Sequence, residues 1–137
     1  MQKTQNHIID PECKLQNVEI VCDDKQRPYS FTLNFASVQN NSNKFYILQY
    51  LKQSSTPVKY HIFVRYGRIR ETGMTSVKSF EEKEKHKANA YFQKQFFTKT
   101  GNQWNSITKY SDFTLKPNKY NLVDFEDLAI EQEETIG

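Results

Sequence analysis

Arg65, Arg68 and Arg70 fall within six positions in the stretch RYGRIRETG, residues 65–73, interleaved with Tyr66, Gly67 and Ile69. A guanidinium presents a planar fork of donors suited to phosphate or carboxylate oxygens. An aromatic ring beside it offers a face on which a sugar or base can rest. On an extended chain Tyr66 and Arg68 leave the same side, with the side-chain-free Gly67 between them. The pattern suits an anion gripped next to a ring. The competing readings are a surface ion pair of Arg68 with Glu71 and a core position for Tyr66. Arg65 and Arg70 are further candidates for the same patch.

Other chemistry finds little support. The glycines at 67, 73, 101 and 137 make neither a phosphate loop nor a dinucleotide turn, and there is no GxSxG or HExxH. Cys13 and Cys22, with His7, His61 and His86, fit no zinc-ligand spacing and read as reduced thiols and ordinary histidines. Glu81 and Glu82 are explained by a helix start. A triad assembled in space is not excluded by spacing alone. The expectation is a binding module with no catalytic residues, no metal and no cofactor of its own.

The elements that must position the arginines follow from patterning. Residues 29–38 suit a short edge strand, followed by an Asn-rich turn at 39–43. Residues 44–51, KFYILQYL, read as a well-buried strand. Residues 58–67 alternate, with Val58, Tyr60, Ile62 and Val64 on one face, so the two runs predict an antiparallel hairpin. Gly67 is expected to mark a bend or bulge, with RIRETGM as another short strand. Ser79 and Glu82 match a capping box, and Ala88, Tyr91, Phe92, Gln95 and Phe96 form a helical stripe for core packing, ended near residue 99 by Gly101. Trp104 is assigned to packing after the helix. Residues 118–128 predict a closing strand. The fold class is α+β, an antiparallel sheet covered by one main helix.

With 137 residues the chain suits one domain, and its ten Phe and eight Tyr offset a low apolar content. The charge is uneven. Residues 41–119 carry fifteen bases and five acids, whereas residues 120–137 carry six acids and no base. A basic middle of this kind suits a polyanion, or else a solvated helix face. No stretch approaches the roughly 20 apolar residues of a membrane helix, and the expectation is a soluble, intracellular protein. Residues 1–8 are expected to be disordered, 9–128 to form the domain with its N-terminal extension, and 129–137 to be an acidic tail or linker.

Four ordered blocks resemble the WGR domain of DNA-dependent poly(ADP-ribose) polymerases: RYGRIRETG, NNSNKFYILQYL (40–51), KTGNQW (99–104) and KPNKYNLVDF (116–125). The upstream IIDPECKL and the segment 29–40 are similar to what precedes this domain in the shorter, DNA-break-activated members. The resemblance spans roughly residues 9–126. It implies an antiparallel sheet with one helix, and binding at DNA ends or nicks near the 5′-phosphate in the nucleus, in DNA repair. By the same resemblance Asn43 and Lys44 approach phosphate, and Tyr66 stands for the signature Trp that packs on a terminal sugar. Arg68 matches the signature Arg that joins DNA to the regulatory and catalytic parts, and Tyr120 matches the tyrosine near the 5′ end. Arg70 and Asn118 stand where members have Gly, and Arg70 adds charge. NAD chemistry and ADP-ribosylation would then belong to a separate catalytic domain or subunit. The alternatives are a non-catalytic subunit, or an RNA- or protein-binding structural module that kept the fold.

Overall fold

The computed structural model describes residues 8–39, 41–107 and 110–123. Strands β1 (Val18–Ile20), β2 (Ser30–Ser37), β3 (Ser42–Gln53), β4 (Lys59–Arg68) and β5 (Met74–Glu81) precede helix α1 (Lys85–Thr100), and β6 (Asn121–Leu122) closes the order. They form one antiparallel sheet in the order β5-β4-β3-β2-β6, with β1 extending the β2 side of β3. This is the expected α+β architecture.

The centre of the sheet is β3, buried on both faces, which is why its sequence reads as a near-continuous apolar run. Tyr46, Leu48 and Tyr50 face α1, and Leu51 joins Ile20 and Phe63 on the opposite side. Alternation along β4 divides in the same way, with Tyr60 and Ile62 toward the helix and Phe63 away from it. The second face is covered by the N-terminal segment, where Ile9, Cys13, Leu15 and Val18 pack. Gln49, only 3 % exposed, anchors that segment. Its Nε2 donates to the Ile8 carbonyl and to Ser30 Oγ at 3.0 and 2.9 Å, and its Oε1 accepts the Asp10 N–H at 3.0 Å.

Helix α1 buries Ala88, Phe92, Phe96 and Thr100, one per turn, with Tyr91 half-buried beside them. Phe92 meets Tyr29 and Phe31, and Phe96 meets Phe31 and Trp104. Each such ring contributes about 1.5–3 kcal/mol by leaving water. Gly101 ends the helix in the left-handed region at φ 75°, its N–H bonded to the Phe97 carbonyl at 2.7 Å. Trp104 is buried, as expected, under the Arg27 guanidinium, 4.1 Å from its ring centroid.

Several local expectations are corrected. Ser79 does not cap the helix. The β4–β5 ladder continues to Lys59↔Glu81, so Ser79 is a strand residue bonded to His61 Nδ1 at 2.7 Å. A 3₁₀ turn at Glu82–Glu84 then leads into α1, and Glu84 accepts the Glu81 N–H at 3.4 Å. β2 is not an edge strand, because β6 pairs along it through Leu33↔Leu122. Residues 69–73 are a turn, β4 runs through Arg68, and β5 begins only at Met74. Gly67 makes no bulge, since the ladder runs unbroken through Phe45↔Gly67. Its role is close approach: a Cβ there would lie 2.9 Å from Gly73 Cα. The expected disordered start, the acidic tail and the end of the closing strand fall almost wholly outside the described residues. No helix among the described residues is long and apolar enough to cross a membrane.

Candidate nucleic-acid interface

The arginine stretch ends β4 and turns back into β5. Cross-strand pairing places Tyr66 opposite Tyr46 and Arg68 opposite Lys44. Tyr66 and Arg68 therefore stand on the helix side of the sheet, at its open end, where α1 no longer covers it. Both are exposed, Tyr66 by 38 %. The turn is closed by the Glu71 N–H to the Arg68 carbonyl, 3.1 Å, and tied to β3 by the Ile69 N–H to the Asn43 carbonyl, 2.9 Å.

Beneath them lies a run of rings. Tyr46 stacks on Tyr66 with centroids 6.1 Å apart, Tyr120 lies 5.9 Å from Tyr46, and Phe35 lies 5.7 Å from Tyr120. Ammonium groups rest on these rings: Lys44 Nζ is 5.4 Å from Phe35, and Lys99 Nζ is 4.8 Å from Tyr46 and 5.8 Å from Tyr120. The Tyr46 phenol is pushed up to about 12 by burial and by the neighbouring tyrosines, and donates to Gln95 Oε1 at 3.2 Å. Burial likewise raises Tyr120. Both phenols are neutral near pH 7 and present O–H donors. Lys44, Arg68 and Lys99 form no ion pair among the described residues, so the expected alternative of an Arg68–Glu71 pair is not found.

The structure thus brings Lys44, Tyr66, Arg68 and Tyr120 together on one face. Asn43 is not among them: alternation sends it to the opposite face, where its Oδ1 accepts from Asn34 Nδ2 at 2.7 Å. Arg70 sits in the turn, exposed, in the left-handed region at φ 80°. Asn118 adopts φ 60°, consistent with a position that favours glycine. Arg65 is corrected. It points to the far face, where Nε and Nη2 bind Asp10 Oδ2 and Oδ1 at 2.8 and 2.9 Å and Nη1 binds the Thr72 carbonyl at 2.6 Å. The bond to Asp10 raises its already high pKa further. Arg65 is an internal brace.

Lys99, Tyr46 and Phe35 escaped the sequence reading. Lys99 lies inside the KTGNQW block, but nothing local shows that its ammonium reaches these rings. His61 and Ser79 do form a pair, yet His61 Nε2 faces Gln53 Oε1 at 3.2 Å where a triad needs a carboxylate. No cluster of His, Cys, Asp and Glu among the described residues is arranged to hold a metal ion.

A model of the WGR domain matches residues 29–111. The chain is 32 % identical over 128 residues to the protein mono-ADP-ribosyltransferase PARP3 of Mus musculus, covering 93 % of this chain and 22 % of the relative. It is 30 % identical over 131 residues to poly [ADP-ribose] polymerase 2 of Homo sapiens, covering 93 % and 21 %. A poly [ADP-ribose] polymerase of Drosophila melanogaster is 33 % identical over 97 residues, covering 70 % and 10 %. The chain therefore spans about a fifth of the length of the first two relatives. With more than half its residues under one family model, the chain belongs to the WGR domain family.

Proposed function

We propose that this WGR domain is the DNA-contacting part of a nuclear ADP-ribosyltransferase system, and that it engages DNA at nicks and 5′-phosphorylated ends. The observation that carries the reading is the open end of the sheet, where Lys44 and Arg68 face each other across a ladder beside the exposed ring of Tyr66. Cations without acidic partners suit phosphates, and an exposed ring suits the sugar or base that only a terminus leaves uncovered. In this reading Lys44 and Arg68 hold phosphate, Tyr66 covers the terminal sugar, and the neutral Tyr120 phenol donates to the 5′ end. Arg70 adds charge from the turn, and Asn43 steadies that turn through its carbonyl. NAD binding and transfer chemistry belong to another part of a longer protein or to a partner chain, which this domain informs of the break.

The test is a titration of nicked circular duplex, closed circular duplex and structured RNA. The nicked circle should bind most tightly, with a log–log salt slope of about −2 to −3 for two or three phosphates neutralised. Tyr66→Ala should weaken nick binding about tenfold, as loss of one stacked ring does, and leave the closed circle nearly unchanged. Equal affinity for nicked and closed circles would refute break recognition, and a preference for RNA would favour the RNA-binding alternative.

A further inference from the structure

We infer that β5 is a self-complementary edge through which two copies of this chain pair into one continuous antiparallel sheet. The inference goes beyond the DNA reading and needs neither Tyr66 nor Arg68.

The sheet ends differently on its two sides. One side closes with β6, two residues long, near the three-residue β1. The other ends in β5, eight residues long and paired only with β4 among the described residues. Its ladder runs unbroken from Tyr66↔Met74 to Lys59↔Glu81, so no bulge twists the edge away, and MTSVKSFE contains no proline. Its one base, Lys78, is turned onto the helix side, with Nζ 5.6 Å from the Phe80 ring and 5.7 Å from Tyr91. Edge strands are ordinarily blunted by shortness, bulges, prolines or charge, because their free backbone groups attract another strand. β5 keeps its free edge long and straight. Met74 and Val77 add apolar side chains that are 65 % and 43 % exposed.

Alternation fixes which backbone groups are free. The Ile69 N–H bonds the Asn43 carbonyl, so the odd-numbered residues of β4 face β3. The even-numbered residues of β4 therefore face β5 and bond Met74, Ser76, Lys78 and Phe80. The N–H and C=O groups of Thr75, Val77, Ser79 and Glu81 point outward. A second β5 related by a two-fold axis must then pair odd residues with odd ones, and two such registers keep nearly the whole strand paired. One sets Lys78 against Lys78 of the copy. The other is centred on Val77. It pairs Val77 with itself and Thr75 with Ser79 on the side away from α1, and Met74 with Phe80 and Ser76 with Lys78 on the helix side. There no like charges oppose each other, and both exposed apolar residues gain apolar partners. Directly opposed like charges destabilise a strand pair, whereas apolar cross-strand pairs stabilise it. β5 is thus complementary to itself in one register, as an isologous dimer requires.

The experiment follows the whole chain without DNA, so its outcome is independent of break recognition. One strand edge is small, and interfaces below about 1,200 Å² are typically transient, so the dimer is weak and reversible. Sedimentation equilibrium from about 10 µM to 1 mM should show the average mass rising toward twice the monomer value, half-way on the order of 100 µM. Val77→Pro removes an N–H that β4 does not use, and proline is tolerated on a solvent-facing edge, so the fold should survive while the dimer disappears. Val77→Glu sets two carboxylates against each other across the axis and should weaken the dimer about fivefold, which keeps the test open where proline melts the strand. Val77→Cys, whose Cα atoms would oppose each other about 5.5 Å apart, should cross-link on mild oxidation. Ser76→Cys would lie diagonal to its own copy, about 7–8 Å away, and should not. Wild type, which carries the free thiols Cys13 and Cys22, sets the background. A chain that stays monomeric up to about 1 mM overturns the inference. A dimer that persists undiminished in folded Val77→Pro and Val77→Glu uses another surface and overturns it as well. So does cross-linking of Ser76→Cys in preference to Val77→Cys.

Discussion

Replacing Asp10 with alanine isolates the brace that separates Arg65 from the other two arginines. The Arg65 and Asp10 side chains are only 17 % and 5 % exposed, and two parallel N–H···O bonds join them. Asp10→Ala leaves the guanidinium half-partnered, with the Thr72 carbonyl and the face of Phe45, 5.1 Å away. Truncating one partner of a buried pair costs about 3–5 kcal/mol, and because Arg65 retains some water the lower end applies, about 3 kcal/mol. For a domain of this size that lowers the melting temperature by roughly 10 °C. Urea unfolding of Asp10→Ala, Arg65→Met and the double variant completes a double-mutant cycle. The double variant should recover to within about 1 kcal/mol of wild type, because an apolar side chain there leaves no stranded charge.

The same variants test whether Arg65 touches DNA. As a brace, Arg65→Met should leave the salt slope of nick binding unchanged once the folded fraction is accounted for. A slope smaller by about 0.9 would make Arg65 a phosphate contact and refute the assignment. An Asp10→Ala cost below about 0.5 kcal/mol would refute the energetic argument, since that is what an ordinary surface substitution costs.

Two further outcomes follow from the backbone and from a buried ring. Arg70 adopts φ 80°, a conformation that costs a side-chain-bearing residue about 1–2 kcal/mol. Arg70→Gly should therefore stabilise the domain by up to about 1 kcal/mol, net of glycine's greater unfolded-state freedom, while slightly weakening DNA binding, as chemical denaturation and titration will read. His61 is 4 % exposed, and its pKa is lowered, first by burial and then by Lys59. The folded state thus resists a proton that the unfolded chain accepts below about pH 6.5. Stability is fully present above that value and is lost as pH falls from it through the lower folded pKa. His61→Gln should flatten this loss between pH 7.5 and 5.5, and an identical pH slope in both proteins would sink the argument.

The legible parts of the fold were those set by local pattern. The stripe of Ala88, Phe92 and Phe96, the αL stop at Gly101 and the alternation of β4 depend on neighbours a few residues away, and the structure realises each of them. Ser79 was misread because its competing partner, His61 on the neighbouring strand, is visible only after pairing. The strand of three residues at Val18–Ile20 is too short to carry a period. Asp10 and Arg65 are 55 positions apart, so no window of sequence shows that one neutralises the other. Lys99 was invisible for the same reason, since its meaning depends on where a helix end meets two strands.

The odd spacing of the three arginines then has a physical account. Arg65 and Arg68 are three positions apart on a strand with a period of two, so they must face opposite sides of the sheet. Arg65 turns inward to brace the turn through Thr72, and Arg68 turns outward beside Tyr66. Arg70 lies past the last ladder pair, in a left-handed position, so its side chain is free of the strand's alternation. Gly67 and Gly73 let the two arms of the turn close to a separation that a Cβ would forbid, since one at Gly73 would sit 2.5 Å from the Tyr66 carbonyl oxygen. The brace and the grip are therefore coupled. Asp10 holds Arg65, Arg65 holds Thr72, and the short turn so fixed presents Arg68 and Tyr66 with little freedom left to lose on binding. Pre-organisation of that kind raises affinity without adding a contact. The N-terminal segment, on the face opposite the DNA-contacting surface proposed here, thereby supports the site from behind.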